Sequence, residues 1–503
     1  MATKVPHPTL EERHARGLEA RTKAMPDSHA GWQPAADRAD PVALIEEQNL
    51  RRDPDLVPVR HGRMMASPFT FYRGAAKIMA ADLAETPTAG LQVQLCGDAH
   101  LSNFGVFASP ERTLVFDIND FDETLPGPFE YDVKRLAASL MVAAQNNGCS
   151  ESDARAITRD CVTSYRESMA EFAASRTLDV WYAHTSEDQI KQSVADFLAG
   201  ANGKVKDKDK GKKSLKGKSK GTGEDAGLTG MTPKQAKEAQ KRFEKNAQKA
   251  HSRTSEQALS KLSEEVDGHY RIASVPPVIV PARELHTTYG VEADELGTVV
   301  FDMFREYRST LRPDLRQLLE RFEVVDWARK VVGVGSVGTR AFIVLLQGRD
   351  RNDPLFLQVK EATRSVLEGP LRKSRYKQAG ERVVQGQRLM QASSDIFLGW
   401  SKGVQADRYF YWRQLRDMKG SALVELLAPA ELAFYGRTCA WTLARAHARS
   451  GDPVSIAAYL GDDDAFDKSI TDFAERYAAQ NDQDFANFAK AISSNRIEAI
   501  QQV

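Results

Sequence analysis

Along the chain, apolar positions recur first at helical spacing, then not at all, then at strand spacing, and finally at helical spacing again. Residues 1–55 mix Ala, Arg, Asp and Pro with weak periodicity and read as an extension with short helices. RHGRMMASPFTFYRGAAKIMAADLAE predicts a helix over Arg73–Leu83, and a short strand, LQVQLCGD, follows it. EYDVKRLAASLMVAAQNNG and SESDARAITRDCVTSYRESMAEFAAS are strongly periodic helices, the second with a Ser cap. The rhythm is lost in GKVKDKDKGKKSLKGKSKGTGEDAG, residues 203–227. This tract has too few apolar residues to offset the entropy of ordering, and it reads as a disordered tether. TPKQAKEAQKRFEKNAQKAHSR reads as a charged, exposed helix. Near residue 325 the pattern turns to β-rich runs broken by turn residues, VVDWARKVVGVGSVGTRAFIVLLQGRDRNDPLFLQVKEA. A helix is expected over Arg375–Ala392, a strand at RYFYWRQLRDMKG, and helices from Pro429 onward.

Composition narrows the class without naming it. A chain of 503 residues has room for two or three lobes and a sizeable core. Lys+Arg and Asp+Glu both number 69, so no global charge drives it toward nucleic acid or a membrane. The lysine tract lacks the interleaved aromatics and arginines of a nucleic-acid-binding arm, and nucleic acid is the weaker reading. The four cysteines (Cys96, Cys149, Cys161, Cys439) have no CxxC spacing, which disfavours zinc and a disulfide framework. The polar N-terminus and the lack of long apolar runs lead to the expectation of a soluble cytoplasmic chain with no membrane partner.

Two motifs carry chemistry. GVGSVG, residues 333–338, has the GxGxxG form that lets backbone approach phosphates. A dinucleotide fold needs a helix after it, yet AFIVLLQG follows, a run that favours a strand. Strand, Gly-rich loop and strand form the kinase arrangement, with Gly333, Gly335, Ser336 and Gly338 over the nucleotide phosphates. That arrangement demands a lysine on the next strand, and LFLQVKEA supplies Lys360. Glu381 is the expected helix carboxylate to hold it, with Glu368 as the alternative.

The second motif is LCGDAHLSNFG followed by TLVFDINDFDE. Asp98 and Asn103 stand five apart, the spacing of a kinase catalytic base and its metal-binding Asn. A strand–turn–strand then ends in a further acid, Asp117, the expected second metal ligand. Asp120 is taken to assist the metal or to orient Lys134 or Arg135, and Asp122 to be solvated. The clustering is costly unless a cation uses it, because neighbouring carboxylates repel. An EF-hand loop is disfavoured, since DINDFDET lacks the central Gly and terminal Glu.

GDAHLSN resembles the GD-x-H-x-x-N loop of aminoglycoside phosphotransferases and related kinases of the protein-kinase-like superfamily. RHGRMMASPFTFYRG, CGDAHLSNFG, FDINDFDETLPGPFEYDVKRLAAS, FLQVKEA and QRLMQASSDIFLGW are similar to a widespread bacterial family of unassigned function, over most of the chain from about residue 50. The resemblance implies an ATP- and Mg2+-dependent phosphotransferase acting on a hydroxyl of a small molecule or protein. Asp98 would be the base, Asn103 and Asp117 metal ligands, and Lys360 the phosphate contact. Cys96 stands where these kinases often have His, and Arg340 where the Gly-rich loop has Val. The motif order is also reversed, which implies a circular permutation. The expected fold is therefore α+β, a two-lobed, circularly permuted protein-kinase-like fold with a mainly helical lobe and a small β-rich lobe.

The expected divisions are an extension (1–55), a helical lobe with the catalytic and metal loops (56–200), a linker with an exposed helix (201–265), a β-rich nucleotide lobe (266–425) and a C-terminal helical segment (426–503). A catalytic loop at LARAHARSGDP fails for want of an Asn after Asp452, so that segment reads as a packing helix. It competes with the Arg73–Leu83 helix for buttressing the Asp98 loop. Two other functions remain open: a nucleotide-binding pseudokinase, and a metal-dependent phosphoesterase using Asp98, His100, Asp117 and Asp120. Whether phosphate or AMP is transferred is open too.

Overall fold

A computed structural model describes residues 7–193, 233–285, 293–331, 333, 335–403, 407–415 and 417–500. The lysine tract expected to be a tether lies outside them. The protein is mixed α and β, with a six-stranded antiparallel sheet beside a mainly helical body. The sheet runs in the order Gly399–Lys402, Tyr409–Gln414, Pro354–Ala362, Ala341–Gln347, Glu323–Lys330, Ile279–Pro281.

Both faces of this sheet are covered, which is why its central strands read as continuous apolar runs. Leu355, Leu357 and Val359 join Phe304, Tyr307 and Trp412 on the face covered by the helix Ala293–Ser309. Tyr307 stacks on Trp412 with ring centroids 4.6 Å apart. Phe356 on the opposite face packs with Leu259 and Leu262 of the helix Ser255–Leu262. Alternation along the strand puts Gln358 and Lys360 on the same face as Phe356, where the cover ends and a cleft opens.

The helical body is built from both ends of the chain. Pro429–Ser450 packs along Glu151–Ala174 and Phe129–Asn146, and Ala465–Ser493 packs against both of the latter. Ser150 caps its helix as expected, accepting the Asp153 N–H. The helix expected over Arg73–Leu83 is two, Pro68–Gly74 and Ala76–Leu83, broken at Ala75. That expected over Arg375–Ala392 is Ala379–Met390. Among the described residues no helix is long and apolar enough to cross a membrane.

The N-terminal extension belongs to this body. Its helix Leu10–Lys23 lies against Pro453–Leu460 so closely that a Cβ at Gly17 would meet the Ser455 carbonyl at 2.2 Å. Arg38 bridges Asp82 and Asp484 with four hydrogen bonds of 2.6–2.8 Å, and all three side chains are largely buried. Removing one member of such a network strands the other charges. Arg38→Met is expected to lower unfolding free energy by about 3 kcal/mol in chemical denaturation. A loss under about 0.5 kcal/mol, the surface-substitution range, would mean that the extension is not integral.

Candidate functional site

Lys360 sits at the centre of the cleft, 3% exposed, and its ammonium lies between two carboxylates of the NDFDET loop. Nζ is 3.2 Å from Asp120 Oδ2 and pairs still more closely with Asp122. Burial opposes the lysine's charge, but the two carboxylates outweigh it and hold its pKa above the ordinary value. Asp120 is likewise penalised by burial, yet Lys360, Arg413 and Lys419 keep it below the usual carboxylate range. Asp122 is raised by burial and by Asp120, with Lys360 and the Tyr411 hydroxyl opposing; that hydroxyl donates to Asp122 Oδ1 at 2.8 Å. Asp122, expected to be solvated, is therefore part of the charge cluster.

The partner expected for Lys360 was a helix carboxylate, and the structure uses the acidic loop instead. Glu381 lies in the first turn of Ala379–Met390, and Glu368 pairs with Arg364 at 3.3 Å. The residue that reaches the loop from this helix is the next one, Arg382. Its guanidinium donates to the carbonyls of Asp122, Thr124 and Thr363 at 2.6–2.9 Å. One residue along a helix is about 100° of rotation, enough to exchange the two side chains' roles.

The Asp98 loop is held from below. Arg135 on Phe129–Asn146 donates Nε to Asp98 Oδ1 at 2.8 Å and forms an ion pair with it, Nη2 lying 2.7 Å from the same oxygen, with its guanidinium over the Tyr72 ring at 4.0 Å. Asp132, one turn earlier, accepts the N–H groups of Cys96 and Gly97 at 2.7 and 3.0 Å. His447 of Pro429–Ser450 sits 3.3 Å from Asp132, and Tyr165 bonds its other ring nitrogen at 2.8 Å. The LARAHARSGDP segment is therefore the buttress, acting through Asp132, while Tyr72 and its carbonyl orient Arg135. Asn103 donates to the Asp98 carbonyl at 2.8 Å, closing the turn. His100 Nε2 lies 3.7 Å from Asp98 Oδ2, and burial depresses its pKa to about 4, so it is neutral near pH 7.

Asp117 does not face the cleft. It is 1% exposed; Oδ1 accepts from Arg445 at 2.6 Å and from the Ile118 N–H, and Oδ2 accepts from the Ala392 N–H at 2.8 Å. The expectation of Asp117 as a metal ligand thus meets a carboxylate already filled, in a strand buried on both faces. Asp120 has the opposite character. Its Oδ1 is buried without a hydrogen-bond partner, the state of an oxygen that a cation would satisfy. Among the described residues no three His, Cys, Asp or Glu side chains gather as metal ligands. Magnesium needs no such cage, because it is held through one or two protein groups plus phosphate oxygens. Asp120 and Asn103 fit that donor set.

The Gly-rich segment is a turn between two strands, Glu323–Lys330 and Ala341–Gln347, as expected. Gly333 and Gly338 have φ of 66° and 84°, a backbone region open mainly to glycine. Sequence reasoning missed that the turn is pinned by the segment before the helical body. Arg63 donates to the Gly333 carbonyl at 2.6 Å, Arg52 to that of Val337, and the Asp53 N–H to that of Gly338 at 2.8 Å. Arg340 points to Asp53 and Glu361.

Two cavities meet beneath this turn, sharing Asn119, Asp120, Arg253, Gly333, Ser336 and Lys419. One, of about 750 Å3, contains Asp98, His100, Asn103 and Gly335. The other, of about 500 Å3, contains Lys360, Gln358, Arg413 and the lobe connector at Gln414 and Leu415. The helix Pro233–His251 and its successor, expected to be exposed, border the second cavity with Lys249, Arg253 and Lys261.

In comparison with known proteins, the model of a bacterial family described as "Uncharacterized protein conserved in bacteria (DUF2252)" matches residues 52–220 and 208–491, so the chain belongs to that family. No curated protein and no solved structure matches it.

The two acids are separable by experiment. Asp117→Asn breaks the buried pair with Arg445 and is expected to cost about 3 kcal/mol of stability in denaturant titration. Asp120→Asn removes one of the two carboxylates facing Lys360 and is expected to cost stability as well. In the folded protein, however, it should weaken magnesium-dependent ATP binding at least tenfold in calorimetry, which Asp117→Asn should not. The reverse pattern would return the metal role to Asp117.

Proposed function

We propose that this DUF2252 protein is an ATP- and magnesium-dependent group transferase of kinase-like, circularly permuted architecture, moving a phosphorus-containing group from the nucleotide to a hydroxyl. The observation that carries the reading is the meeting of Lys360 with Asp120, 240 residues apart in sequence, in one cleft. A lysine on the strand after a Gly-rich turn and a metal-binding acid after an Asp-x4-Asn loop are the two halves of a phosphoryl-transfer site. The permutation draws support from two segments, distant in sequence, that an unpermuted order would bring into succession. Ser450, at the end of the helix carrying His447, accepts the Gln94 N–H at 3.1 Å, on the strand that leads into the Asp98 loop.

The roles follow from which atoms are left open. Asp98 Oδ1 is occupied by Arg135, so Oδ2 is the atom that would take the acceptor's proton. Arg135 and the Asp132–His447 pair hold that oxygen's position. Asp120 and Asn103 would hold magnesium, which would supply neutralisation of the phosphate charge. Lys360 is already charged and immobilised, so its electrostatic contribution costs little reorganisation in the transition state.

Magnesium-ATP at one hundred times its Kd is expected to stabilise the protein by about 2.7 kcal/mol, seen as a rise in melting temperature. A folded sample with no shift at millimolar magnesium-ATP would remove the reading. Asp98→Asn is expected to reduce turnover at least about 100-fold while leaving nucleotide affinity within a few-fold. Binding without turnover in the unaltered protein would identify a pseudokinase instead.

A further inference from the structure

We propose that the cavity beside the lobe connector binds the terminal phosphates of the nucleotide, so that the phosphorus presented to the acceptor is the α-phosphorus and the group transferred is a nucleoside monophosphate. This rests on the transferase reading above and specifies its reaction.

The argument is the chemistry of the lining. A nucleobase is uncharged and stacks on apolar surface, whereas the two terminal phosphates are a compact polyanion. The cavity offers six cations, Lys249, Arg253, Lys261, Lys360, Arg413 and Lys419. Its three carboxylates are already engaged: Asp120 with Lys360, Asp417 with Arg112, and Asp395 by the Phe397 and Gln414 N–H groups. Lys249, Lys261 and Lys419 make no ion pair among the described residues. Apolar lining is confined to Phe107, Ala108 and Leu415. The cleft face of the sheet, against which a base would lie, carries Gln358 and Arg413, joined by a 2.9 Å hydrogen bond.

The crowding of cations has its own cost. Burial, then the charges of Arg413 and Lys360, press the Lys419 pKa down to about 7. A bound polyphosphate would relieve that repulsion and draw a proton onto Lys419 near neutral pH. The larger cavity, roofed by Gly335 and Thr339 and containing Asp98, has room at about 750 Å3 for the nucleoside and the acceptor hydroxyl. In the transfer, the acceptor oxygen forms a bond to the α-phosphorus, and the bond from that phosphorus to the α,β-bridging oxygen breaks. The bonding pair leaves with pyrophosphate into the cationic cavity, and the hydroxyl proton passes to Asp98 Oδ2.

Inorganic tripolyphosphate with magnesium is the direct probe, measured by calorimetry on the full chain. Binding is expected, weakened about tenfold by Lys419→Met and several-fold by substitution of an exposed side chain, Lys261→Glu, and unchanged by Arg51→Glu in the other cavity. Proton uptake on binding at pH 7 should vanish in Lys419→Met. With water as acceptor, α-labelled ATP should yield AMP and pyrophosphate. If ATP binds but tripolyphosphate does not, if Arg51→Glu is the damaging variant, or if the products are ADP and phosphate, the inference falls while the transferase reading stands. If neither ligand binds, both fall. Where hydrolysis is too slow to see, the tripolyphosphate result decides alone.

Discussion

A lysine ammonium buried between two carboxylates is the contact on which the cleft depends. Lys360 belongs to the sheet, while Asp120 and Asp122 belong to the loop that follows the Asp98 motif, so the charge cluster spans both parts of the molecule. An isolated ammonium at 3% exposure would carry a desolvation penalty of several kcal/mol. It is stable only while both carboxylates remain opposite it, and they in turn repel each other without it. The arrangement of sheet against helical body is therefore coupled to the ionisation of three side chains.

Around the cluster, hydrogen bonds fix the backbone that carries it. Arg382 grips the carbonyls of the acidic loop, Gln391 donates to the Ile118 carbonyl, and the Ala392 N–H reaches Asp117. A single helix, Ala379–Met390, thus ties the sheet to the loop along its length. On the other side, Pro429–Ser450 supplies His447 and Arg445, one beneath the Asp98 turn and one beneath Asp117. Asp98 Oδ2 at the cleft edge and the buried Asp120 Oδ1 are among the atoms that this scaffold does not consume.

The Gly-rich turn is unusual in being held from outside its own sheet. Arg52, Asp53 and Arg63 bind its carbonyls, and Val337 packs with Leu56 and Val59. Glycines give such a turn freedom, and these contacts remove it. Any opening of the cleft requires the segment 52–63 to move with the turn or to release it.

Much of the architecture was legible along the chain because it is local. Helical periodicity, the Ser150 cap, the alternation around GVGSVG and the strand bearing Lys360 all depend on residues close in sequence, and each appears in the fold. The spacing of Asp98 and Asn103 likewise describes one turn. What sequence left undecided was direction. The strand Leu114–Ile118 is buried on both faces, so no alternation told Asp117 from Asp120. Glu381 and Arg382 differ by one step of helix rotation, and only the packing of that helix against the acidic loop chose the arginine. The charge count, 69 against 69, concealed a cavity whose cations come from segments over 150 residues apart, at Lys249 and Lys419. Residue types set which chemistry was possible. Long-range packing decided which oxygens and which cations were spent on the fold and which were left facing the cleft, because a buried charge must find its partner in space, wherever that partner lies in the chain.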